Sequence, residues 1–183
     1  MSDTAHTQAV SQVESIVAMV AALECDFDRI EELENDIESL ESAQEELLGD
    51  WDGTSELTAP PEFLEWEKVN GESLDSMREE LAELKKDAGD CVDQEEAQRR
   101  IQEDPLSVEY RSGWSNPGED LTPEEFRVVL CTGGPHVEIV GDLNQHGEPA
   151  SVRVLYRDWG TSGELFDFDH DAVLTYCAQI ISI

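Results

Sequence analysis

The sequence predicts an α+β protein, in which a long antiparallel helical hairpin of coiled-coil type precedes a small antiparallel β-sheet with a C-terminal helix. Three observations carry this. Apolar residues recur at steps of three and four through the first half. Short runs rich in β-branched residues, set apart by Gly and Pro turns, fill the second. The charge also changes between the halves: up to Asp104 there are 31 acidic and 7 basic residues, a net of −24, and beyond it 13 and 4, a net of −9.

Residues 1–10 read as a flexible N-terminus. Ser11-Gln12-Val13-Glu14 has the form of a capping box. After it, Val13, Ile16, Val20, Leu23, Phe27, Ile30, Leu33, Ile37, Leu40 and Leu47 place one apolar stripe on a single long helix that ends near Gly49. Leu57 to Pro61 reads as a connection, with Thr58 as a cap and Pro60-Pro61 suited to a helix start. A stretch with Phe63, Leu64 and Trp66 follows, and Asn70-Gly71 is expected to interrupt it. Ser73 to Ala88 is a further helical segment carrying Leu74, Met77, Leu81 and Leu84, with Gly89 as its stop. Asp93-Gln94-Glu95-Glu96 caps a short helix that Pro105 closes. Residues 11–104 thus form the hairpin domain and 105–183 the sheet domain.

Strands are expected at Val108–Tyr110, Phe126–Cys131, Val137–Val140 and Val152–Tyr156. The turns between them are Asn116-Pro117-Gly118, Gly133-Gly134-Pro135 and Asn144–Pro149, an antiparallel meander. Asp171–Ile183 reads as the last helix, capped by Asp169, with Asp171 favouring its dipole. It would pack Val173, Leu174, Cys177 and Ile180 onto the sheet.

The chain of 183 residues carries 44 Asp and Glu against 11 Lys and Arg, a formal charge of −33 that exceeds what solubility requires. Its 4 Trp, 5 Phe and 3 Tyr are too much bulk for a disordered acidic tail. Without a long apolar run or a basic leader, the expectation is a soluble cytoplasmic protein with no membrane contact. Cys25, Cys91, Cys131 and Cys177 form no CxxC pair and are expected to be reduced. The excess of 8 Arg over 3 Lys also fits a chain adapted to concentrated salt.

Beside the apolar stripe runs a second one: Glu24, Asp28, Glu31, Glu34, Glu38, Glu41 and Glu45. At ~1.5 Å rise per residue it places one carboxylate every ~4.5 Å along ~32 Å. Like charges at i,i+4 (Glu24/Asp28, Glu34/Glu38, Glu41/Glu45) weaken a helix where Lys would strengthen it. The second helical region adds Glu62, Glu65, Glu72, Asp75, Glu79, Glu80 and Glu83, of which Glu79, Glu80 and Glu83 are assigned to this surface. Such rows imitate a nucleic-acid backbone, and the expected partner is the basic surface of a nucleic-acid-binding complex: a CRISPR effector, a restriction enzyme or another nuclease. Two alternatives stand beside this. One is the solvated face of a salt-adapted helix, and the other is a coiled-coil adaptor or dimerisation module, a homodimer included.

Catalysis is a weaker reading. Cys131 and His136 flank a Gly-rich turn and Asp158 follows a later strand, but a hairpin turn accounts for the glycines and a buried thiol for Cys131. Asp167, Asp169 and Asp171 lack the spacing of a calcium loop. The expectation is no enzyme, no metal, no cofactor and, with so few bases, no direct nucleic-acid binding.

Several segments, namely Leu130-Cys131-Thr132-Gly133-Gly134-Pro135, Gly147-Glu148-Pro149, Asp158-Trp159-Gly160-Thr161, Leu174-Thr175-Tyr176-Cys177-Ala178 and Val17–Asp26, together resemble a group of small acidic proteins encoded by bacteriophages and mobile elements. The resemblance implies such an origin and, by class, an inhibitor of host defence of the anti-restriction or anti-CRISPR kind. It assigns no functional residues.

Overall fold

The computed structural model describes residues 4–49, 51, 59–118 and 121–181; the expected cap Thr58 lies outside them. The chain runs α1 (Thr4–Glu24), α2 (Phe27–Leu48), α3 (Pro61–Ala88), α4 (Gln94–Glu103), β1 (Ser107–Ser112), β2 (Pro123–Cys131), β3 (His136–Asp142), β4 (Arg153–Asp158), β5 (Thr161–Leu165) and α5 (His170–Ile180). The fold is α+β with an antiparallel sheet. Its division is not the expected one: Cys25–Asp90 is one unit, and the chain up to Glu24 joins the chain from Cys91 onward in the other. The hairpin is an insertion between α1 and α4 rather than a domain spanning 11–104.

The reason lies at residue 26. The expected helix from Ser11 to Gly49 is two helices, because the Asp26 carboxylate accepts the Arg29 N–H at 2.9 Å and caps a new start. At the other end α1 is helical from Thr4, so residues 4–10 are not a flexible arm and Ser11 lies inside the helix. Ala5 and Ala9, both fully buried, hold that first part in place.

In the sheet unit, α1 buries Ala9, Val13, Ile16, Val20 and Leu23 and packs on β3, β4, β5, α4 and α5. The sheet is a five-stranded meander in the order β1-β2-β3-β4-β5. Its register sets Val108, Val128, Ile139, Val154 and Leu165 side by side on one face, the face that forms the core with Val173, Tyr176 and Cys177 of α5. Gly141 is required there: a Cβ would lie 1.9 Å from the Ser151 carbonyl oxygen and 2.7 Å from the Phe126 ring. β5 was not expected, since Thr161-Ser162-Gly163-Glu164 is polar; as an edge strand it supplies only Leu165 to the core. α4 starts at the Asp93 cap, whose carboxylate accepts the Glu96 N–H at 2.7 Å. α5 starts at Asp169, which accepts the Ala172 N–H at 3.0 Å. Tyr176, fully buried, donates to Asp104 at 2.5 Å and ties α5 to the end of α4.

The second unit is α2 against α3. Ion pairs Glu34–Lys85 and Glu41–Arg78 match rising numbers on one helix to falling numbers on the other, so the pair is antiparallel. Leu33 and Ile37 of α2 and Phe63, Leu74 and Ala88 of α3 are its buried seam. Gly49 (φ 51°) and Gly89 (φ 58°) end the helices, each donating its N–H to the carbonyl four residues back. The expected interruption at Asn70-Gly71 is absent: α3 is continuous, Asn70 Nδ2 donates to the Trp66 carbonyl at 3.0 Å, and packing outweighs the local weakness of Gly. Among the described residues no helix is long and apolar enough to cross a membrane.

Candidate interaction surface

The charge is concentrated in the inserted unit. Cys25–Asp90 holds 23 acidic and 5 basic residues, a net of −18, which leaves 21 and 6, a net of −15, for the longer sheet unit. All nine carboxylates of α2 and all nine of α3 are exposed. The seam requires this. With 3.6 residues per turn and apolar groups at steps of three and four, every other position turns outward, and here those positions are mostly Asp and Glu.

The structure sorts the predicted row by partner. Glu24 ends α1 and belongs to the sheet unit, so the seven-residue row and the Glu24/Asp28 pair do not exist on one helix. Glu34 meets Lys85 at 2.6 Å and Glu41 meets Arg78 at 2.7 Å. Glu80 accepts from Arg29 at 2.8 Å and 3.1 Å in a fork that lowers its pKa, the hydrogen bond being the largest cause, and raises that of Arg29. These three carboxylates flank the seam and each reaches from one helix to the other. Asp28, Glu31, Glu38 and Glu45 of α2, and Glu79 and Glu83 of α3, form no ion pair with another described residue. Glu31, Glu38 and Glu45 lie about 20–80° farther round the helix from the seam than Glu34 and Glu41, at ~100° per residue, and so point away from α3. Their i,i+7 spacing was visible in the sequence; which side α3 occupies was not.

In the sheet unit the balance is different. All four bases beyond Asp104, namely Arg111, Arg127, Arg153 and Arg157, share the sheet face opposite the core. Each stands against a glutamate: Arg111 with Glu125, Arg127 with Glu109, Arg153 with Glu164 at 3.7 Å, and Arg157 with Glu138 at 3.6 Å. This face is locally neutral, whereas the hairpin is not.

The Cys131–His136–Asp158 combination is not assembled. Cys131 Sγ donates to the Pro135 carbonyl at 3.6 Å, and burial raises its pKa. His136 Nε2 lies 3.0 Å from Glu138 Oε2 and 3.0 Å from Arg157. Burial also pushes the Cys177 thiol up to about 12, away from the thiolate that nucleophilic chemistry needs. Asp169 is occupied as the α5 cap.

No protein-family model, no curated protein and no solved structure matches this chain.

Proposed function

We propose that the protein is an acidic inhibitor whose α2–α3 hairpin occupies the basic nucleic-acid channel of a defence complex in the host cytoplasm, such as a CRISPR effector or a restriction nuclease. The observation that carries this is the unpaired charge of the hairpin: of the 18 carboxylates on α2 and α3, 13 form no ion pair with another described residue. Counting the five bases of these helices gives a net of −13. Along the ~42 Å of α3 that is one net charge per ~3.2 Å, close to the ~3.4 Å per phosphate along a single DNA strand. A basic channel built for that spacing would gain attraction and association rate from it.

Replacing Glu31, Glu38 and Glu45 by Lys removes outward charge while leaving the pairs to Lys85 and Arg78 in place. The test is capture of basic nucleic-acid-binding complexes from a host lysate at low salt, with a salt-gradient elution. A specific complex retained by the wild type and lost by the variant supports the reading; equal retention overturns it. An adaptor role has one observation in its favour, the exposed Leu64 and Val69 of α3, at 42% and 76%. That role requires Leu64→Ser and Val69→Ser, not charge reversal, to remove binding.

A further inference from the structure

Two turns that lie far apart in sequence meet at one end of the sheet. Gly133-Gly134-Pro135 joins β2 to β3 and Trp159-Gly160 joins β4 to β5, and the pairing of His136 with Arg157 brings them side by side. A Cβ on Gly134 would lie 2.8 Å from Trp159 Nε1 and 2.9 Å from Asp158 Oδ1. The indole and the carboxylate therefore both rest on the bare Cα of Gly134, and any side chain there would displace them.

The carboxylate is in an unusual position. Asp158 Oδ1 is shielded from solvent and accepts no hydrogen bond, the one side-chain atom among the described residues of which this is true. A shielded polar oxygen without a donor is costly, and none of the described residues donates to this one. The adjacent Arg157 cannot serve. Successive strand residues point to opposite faces, and Arg157 is held on the other face by His136 at 3.0 Å and Glu138 at 3.6 Å. Trp159 is 97% exposed at the tip of its turn and so is held by little packing. A cleft of about 480 Å³ adjoins it at the end of the sheet, with His136, Arg157, Asp158, Thr161 and Ser162 among its walls, Arg157 being the cation already paired with Glu138.

We propose that these turns form a guanidinium site, with Trp159 as the stacking face and Asp158 as the acceptor, and that its occupant is an arginine side chain of a partner protein. The chemistry narrows to this ion. An anion is repelled by Asp158 and by the net charge of −33. A neutral aromatic would stack but leave the carboxylate without a donor. An ammonium has charge but no plane, whereas a guanidinium stacks on an indole and delivers two N–H groups to one carboxylate. The ring face of Trp159 is already open to a partner, whereas Oδ1 is shielded, so the guanidinium reaches it only as the turn opens around it. The site belongs to the sheet unit and stands or falls independently of the acidic hairpin.

The test uses the full chain labelled with nitrogen-15, following the four tryptophan indole N–H signals, with that of Trp159 identified by Trp159→Phe. Methylguanidinium and methylammonium are titrated at matched ionic strength. The expected result is a saturable shift of the Trp159 signal with methylguanidinium, at least about tenfold weaker with methylammonium. Asp158→Asn, with the other three indole signals in place, should lose that response. Trp159→Ala, at a fully exposed position, should abolish the accompanying shift of the Thr161 amide. No shift, equal shifts with both cations, or an unchanged response in either variant overturns the site. Binding of a Gly-Arg-Gly peptide as tight as that of methylguanidinium supports a protein side chain as occupant, and failure of the peptide to bind overturns that assignment.

Discussion

Gly71→Ala and Gly141→Ala are the same chemical change with opposite expected signs. Gly71 lies in the middle of α3 with helical backbone, and a Cβ there meets only Glu67 Cγ, at 3.5 Å, an ordinary contact. Nothing must move, and the unfolded chain loses freedom. Relative to Ala, mid-helix Gly costs roughly 0.5–1 kcal/mol, so the variant should be more stable by about that amount. For the Cys25–Asp90 unit that corresponds to a rise in Tm of roughly 2–8 °C. At Gly141 a Cβ would lie 1.9 Å from the Ser151 carbonyl oxygen and 2.7 Å from Phe126. Backbone cannot give way as a flexible side chain can, and the strand or the Phe126 ring must shift. Overpacking of this kind costs roughly 1–3 kcal/mol or more. Urea unfolding monitored by ellipticity, with tryptophan fluorescence as a second probe, measures both. A destabilised Gly71→Ala would show that the helix needs a break at that point and would refute its continuity. A neutral Gly141→Ala would refute the packing of Phe126 over the sheet.

Other outcomes are equally direct. Tyr176→Phe keeps the shape of the core but removes a hydrogen bond to the Asp104 carboxylate, and should cost roughly 1.5–3 kcal/mol in urea unfolding; an unchanged midpoint would mean that the bond contributes nothing net. Burial raises the Cys177 pKa from 9.0 to about 12, so the folded chain keeps this proton where the unfolded chain releases it. Stability from this group is full below pH 9 and should fall by up to about 1.4 kcal/mol per pH unit above it. Cys177→Ala should flatten the alkaline limb of the stability–pH curve, and an unaltered slope would contradict the assignment. In the folded protein Cys177 should also resist alkylation at pH 8 longer than Cys25, which is half-buried; equal rates would contradict its burial. Raising ionic strength should weaken partner capture by the hairpin steeply, and salt-independent capture would point to the apolar contacts of the adaptor reading.

Local chemistry was legible in the sequence wherever neighbouring residues are enough to determine it. Asp93 and Asp169 cap helices and Gly49 and Gly89 end them because each acts on backbone groups within a few residues. The β-branched runs became four of the five strands, and the α+β class followed from the two periodicities. The acidic surface was also legible as composition, although not as a site.

Tertiary structure decided what periodicity cannot express. The apolar stripe continues in phase through Leu23, Phe27 and Ile30, and a stripe states that a face is covered but not what covers it. α1 therefore read as part of the hairpin, although it packs on the sheet, and the fall in acid density before Cys25 was the signal that would have separated them. Asn70-Gly71 read as a break because propensity is weaker than seam packing, and β5 was missed because an edge strand buries little. Glu34 and Glu31 look alike in sequence. Only the side on which α3 lies makes the first a strut between helices and the second a free charge. Asp158 and Gly134 are likewise joined by strand register alone. A chain specifies its own caps and turns through contacts a few residues long, but which charges remain free for a partner depends on which distant segment reaches them first.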